Sequence, residues 1–230
     1  MTFFTEKKLI GGHRGSPARK KENTLDSFKT AIDEGVDFIE FDIRLSSDSR
    51  LIIHHDPSVS GYILSEMTFR EIKNLSSEIG YEIPSLEEVV EICAGKVMLD
   101  AEIKEDMASV PSAEILLQSF DINSFIVTSF STEALMMVKK SYPQIHRGIL
   151  FESRLPENPL SIIEKIEPSF LLPHHTVFFD SIKNISEASG IKSIPYTVNN
   201  NSEMIKFLND PAIAGIITDK TETALSINRI

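Results

Sequence analysis

Two segments of the chain carry acidic side chains where a buried strand should be apolar. In Phe38-Ile39-Glu40-Phe41-Asp42-Ile43-Arg44 the alternation is strict, so Ile39, Phe41 and Ile43 share one face and Glu40, Asp42 and Arg44 the other. The pattern returns in residues 97–104, where Leu99, Ala101 and Ile103 oppose Asp100, Glu102 and Lys104. Alternation by itself suits a half-exposed antiparallel strand equally well. With both faces covered, each acid would instead cost several kcal/mol to desolvate unless it is paired or bound to a cation. Carboxylates two residues apart on a strand have Cα atoms about 6.6 Å apart on one face, close enough for the side chains to converge on one ion. Glu40, Asp42 and Glu102 therefore make a candidate oxygen site for one divalent cation, Mg2+ or Ca2+, with Mn2+ also compatible and zinc less suited. Asp100 and Arg44, one pleat further back, read as a structural ion pair.

Two histidines can supply proton transfer beside such an ion. His13-Arg14-Gly15 follows the apolar Leu9-Ile10, and His55-Asp56 follows Leu51-Ile52-Ile53-His54. Imidazole changes charge near neutral pH, which suits it to accept a proton from a nucleophile or to give one to a leaving group. A single His-Arg-Gly also fits a structural histidine; a second apolar run ending in histidine brings two rings and three carboxylates to one rim. In an extended chain His54 points away from His55 and reads as structural. His174 and His175 end another apolar run at the same rim, whereas His146 opens one at the opposite end. Glu22-Asn23-Thr24 reads as a helix cap beside the site. The basic residues Lys7, Lys8, Arg19, Lys20 and Lys21 read as solvated loop charges.

These residues need a scaffold that delivers strand ends to one place. Short apolar runs alternate with amphipathic stretches along the whole chain, with no internal repeat, low-complexity tract or linker. Eight strands are predicted, near 8–12, 38–44, 96–103, 125–129, 146–150, 170–173, 193–198 and 215–218. The first helix places Leu25, Phe28, Ala31 and Ile32 on one face, with Asn23 as N-cap and Gly35 after the last turn. Further helices are predicted over 85–94, 112–119, 132–141, 160–166, 181–189 and 202–208, with a short one after Thr218. Regular alternation implies parallel strands joined by crossover helices, and eight units suggest a (β/α)8 TIM barrel, with a doubly wound open sheet as the alternative. Residues 1–230 then form a single domain. In such a barrel the chemistry sits at the C-terminal ends of the strands, where His13 falls.

The bulk composition narrows the function classes. A net charge of -11, from 23 basic and 34 acidic residues, disfavours nucleic acid and anionic lipid surfaces as partners. An anionic small molecule must then be captured by local positive charge. Cys93 is the sole cysteine, so an intrachain disulfide is impossible, and it reads as a buried core thiol. The first residues lack the pattern of a secretory leader, and no stretch is long enough to span a bilayer. The cytoplasm is the expected location; nothing bears on oligomeric state.

Taken in order, the motifs resemble the glycerophosphodiester phosphodiesterase family over nearly the whole chain. They are His13-Arg14-Gly15, Glu22-Asn23-Thr24, Glu40-Phe41-Asp42, His55-Asp56, the Ile83-Pro84-Ser85-Leu86-Glu87-Glu88 segment, Glu102-Ile103-Lys104, Ser129-Phe130, Thr197-Val198-Asn199 and Gly215-Ile216-Ile217-Thr218-Asp219. The resemblance implies a TIM barrel of the phospholipase-C-like phosphodiesterase type. Its implied reaction cleaves glycerophosphodiesters to sn-glycerol 3-phosphate and an alcohol with a divalent metal. It assigns His13 and His55 as general acid and base, Glu40, Asp42 and Glu102 as metal ligands, and Arg14 and Lys104 as phosphate contacts. Three departures stand out: Lys21 replaces a proline before Glu-Asn-Thr, residues 57–61 lack the usual Arg and Thr, and Tyr196 stands where tryptophan is common. The short interval between His55 and Ile83 allows only a modest insertion over the site. A lysophospholipase-D-like hydrolase would be expected to show an apolar rim or interfacial helix, and the sequence displays no clear one. A noncatalytic binding barrel would be expected to lack a histidine or a metal carboxylate, and all are present.

Overall fold

A computed structural model describes residues 1–228. Its strands are β1 (Leu9–His13), β2 (Phe38–Leu45), β3 (Leu51–Ile53), β4 (Ser58–Val59), β5 (Tyr62–Ile63), β6 (Met98–Ile103), β7 (Phe125–Ser129), β8 (Arg147–Phe151), β9 (Phe170–Pro173) and β10 (Gly215–Thr218). The main sheet runs β10-β1-β2-β6-β7-β8-β9 with every neighbouring pair parallel, while β3 joins the end of β2 antiparallel. Residues 192–198 fill the space between β9 and β10. Leu171 N–H donates to Lys192 O (3.2 Å) and Ile194 N–H to Leu171 O (2.8 Å), while Ala214 N–H donates to Ser193 O (2.8 Å) and Ile217 N–H to Pro195 O (2.9 Å). The sheet thus curls and closes as an α/β barrel of the TIM type.

The seventh stave departs from the expected strand over 193–198. It makes isolated bridges to both neighbours instead of a continuous ladder. Pro195 has no N–H to donate, which interrupts regular pairing at its centre.

The helices are α1 (Leu25–Glu34), α2 (Phe69–Ile79), α3 (Leu86–Cys93), α4 (Ser109–Ser119), α5 (Thr132–Ser141), α6 (Pro159–Ile166), α7 (Lys183–Ser189), α8 (Asn201–Leu208) and α9 (Thr221–Asn228). Helix α2 was not anticipated. It occupies the excursion between β3 and α3, and begins with a capping box in which Thr68 and Glu71 satisfy each other's backbone N–H groups. At α1 the cap is Thr24, which accepts from Ser27 N–H, and Asn23 is free for another use. Gly35 ends α1 in the left-handed conformation, as expected.

Strand alternation divides the interior in two. Ile10, Ile39, Phe41, Leu99, Ala101, Phe125 and Val127 face outward into the helices with Phe28, Leu86 and Val89. Leu9, Phe38, Met98, Ile126, Phe170, Leu172 and Ile194 fill the lower barrel, plugged by Phe3, whose ring centroid lies 5.1 Å from that of Phe38. Each such side chain contributes roughly 1.5–3 kcal/mol through burial. Gly11 is required here, because a Cβ would collide with the Phe38 ring. Cys93 is buried among the outer layer, and burial pushes its thiol up to about 12. Above the apolar floor the inward positions change to Glu40, Asp100 and Thr128, and then to Asp42 and Glu102.

Candidate active site

The site begins where β1 ends. After His13 the chain turns sharply through Arg14 (φ 54°) and Gly15 (φ 93°), both left-handed. Gly15 has no room for a Cβ against Ser27, so glycine is needed for both reasons. The turn aims the Arg14 N–H at Glu40 Oε2 (2.9 Å), while the Arg14 carbonyl accepts from Ser27 Oγ (3.0 Å) and Asn23 N–H (3.1 Å).

The β2–β6 register sets Glu40 beside Asp100 and Asp42 beside Glu102. Carboxylate oxygens of Glu40, Asp42 and Glu102 all lie within 4.8 Å of one another, and all three residues are buried. Lys104 Nζ reaches Asp42 Oδ1 (2.9 Å) and Glu102 Oε1 (2.5 Å); Arg14 reaches Asp42 Oδ2 (3.2 Å) and Glu22 Oε1 (3.1 Å). Asn23 Nδ2 donates to Asp42 Oδ2 (2.7 Å). Burial alone would raise the Asp42 carboxyl, but Lys104, Arg14 and Asn23 outweigh it and hold it below the usual range. Glu40 and Glu102 are pushed up, by burial first and then by the negative charge of Asp42.

The expected Arg44–Asp100 ion pair does not form. Arg44 lies beyond the barrel, where β2 pairs with β3, so it sits four residues from Glu40, the cross-strand neighbour of Asp100. It instead binds Glu105 (2.6 Å) and donates twice to the His55 carbonyl (2.9 and 2.7 Å). Asp100 accepts from Thr128 Oγ1 (2.6 Å), and burial raises its carboxyl to about 8.

Both histidines are backed by carboxylates. His13 Nδ1 lies 2.7 Å from Asp219 Oδ1, and Asn199 Nδ2 donates to Asp219 Oδ2 (2.5 Å) while its Oδ1 accepts from Asp219 N–H (2.9 Å). His55 Nδ1 lies 2.8 Å from Asp56 Oδ1. Ionised carboxylates only accept, so in each ring Nδ1 carries the proton and Nε2 is the free nitrogen. Burial, with Lys104 and Arg14 nearby, lowers the His55 ring against the opposing pull of Asp42 and Asp56. His13, Arg14, Glu40, His55, Glu102 and Lys104 line one cavity of about 140 Å³, with Asp42 directly behind the wall. Tyr196 also lines it, its hydroxyl donating to the Phe151 carbonyl (2.9 Å).

A profile of the glycerophosphoryl diester phosphodiesterase family matches residues 13–223. The chain belongs to that family. It is therefore a phosphoric diester hydrolase. A glycerophosphodiester phosphodiesterase from Caldanaerobacter subterraneus is 31% identical over 245 residues, covering 97% of this chain and 98% of the relative. The structure of an Oleispira antarctica phosphodiesterase in complex with the product sn-glycerol 3-phosphate superimposes with a TM-score of 0.88 at 25% identity, covering 100% of both chains. A glycerophosphodiester phosphodiesterase from Thermotoga maritima gives a TM-score of 0.80 at 26% identity, covering 98% of this chain and 100% of that one.

The acidic trio of this phosphodiesterase suits a divalent cation. Ca2+ binds oxygens at about 2.3–2.6 Å, so one ion can touch atoms up to about 5 Å apart. Asp42 Oδ1 is buried, and besides the Lys104 ammonium at 2.9 Å it has no other donor among the described residues. A cation would also offset the repulsion that pushes Glu40 and Glu102 up. The donor set is all oxygen, as hard cations require.

The capping reading of Glu22-Asn23-Thr24 needs correction, since only Thr24 caps while Glu22 and Asn23 brace Arg14 and Asp42. Asp219 and Asn199 were given no role from the sequence. Asp219 does follow β10 at the reactive rim, a positional signal that could have flagged it. His54 turns to the Asp56 carbonyl (3.0 Å), and His146 is held by Ser169 and Asn123 at the far end, both as expected. Neither His174 nor His175 lines the catalytic cavity; His174 stacks edge-on against Tyr196. Lys8 is not a solvated charge, because its ammonium donates to the carbonyls of Asp210 (2.7 Å) and Ile213 (2.6 Å).

Proposed function

We propose that the chain is a cytoplasmic, single-domain enzyme that hydrolyses glycerophosphodiesters to sn-glycerol 3-phosphate and an alcohol with one divalent cation, Mg2+ or Ca2+, Mn2+ being compatible. The observation that carries this reading is the convergence of two carboxylate-backed imidazoles, a buried acidic trio and two fixed cationic side chains on one cavity. The glycerol 3-phosphate complex of the Oleispira relative supports the choice of product.

Charge balance supports the same assignment. With Glu40, Asp42 and Glu102 ionised, Arg14 and Lys104 leave one excess negative charge, which a divalent cation converts to one excess positive charge. A phosphodiester monoanion neutralises that remainder. The cation, when bound by the three carboxylates, supplies Lewis-acid stabilisation of the phosphoryl oxygens. Arg14 and Lys104 are held in place by Asp42 and donate to the same oxygens, in a site where hydrogen bonds are already oriented. Of His13 and His55, one takes the proton of the attacking oxygen at its free Nε2, and the other enters as an imidazolium, with a second proton at Nε2 that it gives to the departing alkoxide. The apolar floor below Asp100 and Thr128 closes the cavity from beneath.

The purified protein should release glycerol 3-phosphate from a panel of headgroup diesters when Mg2+, Ca2+ or Mn2+ is supplied, and stop on exhaustive chelation. His13→Ala and His55→Ala should each lower turnover by about 10²- to 10⁴-fold. Full activity after chelation, or wild-type turnover in either variant, would show the mechanism to be wrong.

A further inference from the structure

Two opposite charges stand unpaired beside the catalytic cavity. Thr197 lines that cavity and also an adjoining hollow of about 570 Å³, whose other walls come from three successive segments of the barrel rim. His175 follows β9, Asn199 and Asn200 lead from the seventh stave into α8 with Glu203 in its first turn, and Lys220 follows β10. Asn199 is engaged with Asp219, and Asn200 caps α8. The two charged side chains are not engaged. Lys220 forms no ion pair among the described residues, and the acids of the neighbouring cleft, Glu34 and Glu222, are held by Arg19 (3.3 and 2.5 Å). Glu203 has no Lys or Arg partner among the described residues either. Its one close neighbour of that kind is the His175 ring, whose Nδ1 lies 3.4 Å from Glu203 Oε2, is shielded from solvent and makes no hydrogen bond among the described residues. Lys220 and Glu203 thus face one hollow without pairing with each other.

An ammonium and a carboxylate that share a hollow without pairing favour a ligand that brings both charges itself. A neutral headgroup such as glycerol gains from neither. An ethanolamine headgroup meets Glu203 but is repelled by Lys220, and an acidic headgroup has the reverse balance. An α-amino acid, with its ammonium and carboxylate on one carbon, is attracted at both ends. It also adds no net charge, so the charge balance of the phosphodiester monoanion with the site is kept. We propose that this hollow is the headgroup subsite and that it selects glycerophosphodiesters of an amino-acid alcohol, serine being the simplest. The serine carboxylate lies toward Lys220 and its ammonium toward Glu203. The glycerol end then occupies the cavity, where Asp100 and Thr128 offer oxygen partners to its hydroxyl groups. This rests on the phosphodiester hydrolase reading above and names its leaving alcohol. Lys220 and Glu203 act on the choice of substrate and not on the reacting atoms.

The test compares glycerophosphoserine, glycerophosphoethanolamine and glycerophosphoglycerol as substrates of the full chain supplied with divalent metal. Two charge contacts at a partly exposed rim should place kcat/KM for the serine diester about fivefold above both others, with the difference in KM. Lys220→Met should bring the ratio of serine to ethanolamine diester to about one, and Glu203→Gln should bring the ratio of serine to glycerol diester to about two or less. Each ratio is taken within one protein, so a loss of folded enzyme in a variant cancels. A wild-type ranking that does not put the serine diester first overturns this inference and leaves the hydrolase reading intact. A serine preference that either substitution leaves unchanged overturns it as well. Failure to hydrolyse any of the three overturns both.

Discussion

His13 ends β1 inside the parallel ladder, whereas His55 follows β3, a three-residue strand that joins the end of β2 antiparallel and otherwise pairs only at an isolated bridge to Ser85. The supports differ as much as the strands. The His13 ring is 18% exposed and leans on Asp219, brought from 206 residues away and clamped on its other oxygen by Asn199. The His55 ring is 38% exposed, and its partner Asp56 is the next residue, with a carboxylate 68% exposed. What holds His55 is the backbone, where the Arg44 guanidinium donates twice to its carbonyl. One imidazole is fixed through its side chain and the other through its main chain. A side-chain relay sets tautomer and ring angle together; a backbone clamp sets only where the ring starts.

The largest effect should follow from breaking the side-chain relay. In Asp219→Asn an amide can donate to His13 Nδ1, which drives the ring proton to Nε2 and removes the free nitrogen from the cavity. Turnover should fall by about 10²- to 10⁴-fold with little change in KM, the signature of a group acting in the transition state. The variant also carries a stability test. Burial alone would raise the Asp219 carboxyl, but the His13 hydrogen bond and charge, with the Asn199 amide, hold it below its ordinary 3.8. A depressed folded value means stability that is present above the unfolded pKa and lost as pH falls through the folded one. The gap in urea stability between wild type and Asp219→Asn should therefore be open at neutral pH and close as pH falls through and below the ordinary carboxylate range. A gap that widens on acidification would reverse the sign and remove Asp219 from this role.

Legibility followed the same division between local and distant contacts. Strands β7, β9 and β10 lie where apolar runs bounded by turn residues put them, and the acidic trio was readable because alternation is a local signal. Pro195 broke the ladder of the seventh stave, and α2 was missed in an interval read only as short. Asn23 on Asp42 and Asp219 on His13 join segments far apart in the chain, so no window of sequence contains either contact. Motif order lent the histidines their weight without saying what supports them.

The backbone clamp predicts an intermediate loss. Arg44→Lys keeps a positive charge toward Glu105 but cannot present two N–H groups to the His55 carbonyl. Turnover should drop by about tenfold to a hundredfold, less than for Asp219→Asn, because the ring keeps its proton and loses only its placement. Stopped metal-dependent assays at saturating substrate would read this directly. A loss equal to that of Asp219→Asn would mean that placement and tautomer cannot be separated in this site.

The smallest effect should come from Asp56→Asn. The Asp56 carboxylate is well exposed, so water can accept from His55 Nδ1 in its place and the ring retains an exchangeable choice of partner. Turnover should fall by no more than about fivefold, well short of the range for loss of an acid or base. The pH profile is the sharper readout. The Asp56 hydrogen bond raises the His55 ring, against the larger lowering by burial. Removing it should move the His55 limb of the kcat profile further to the acid side. If instead Asp56→Asn costs as much as Asp219→Asn, then exposure is no guide to how firmly a carboxylate directs its histidine, and the contrast between the two supports collapses.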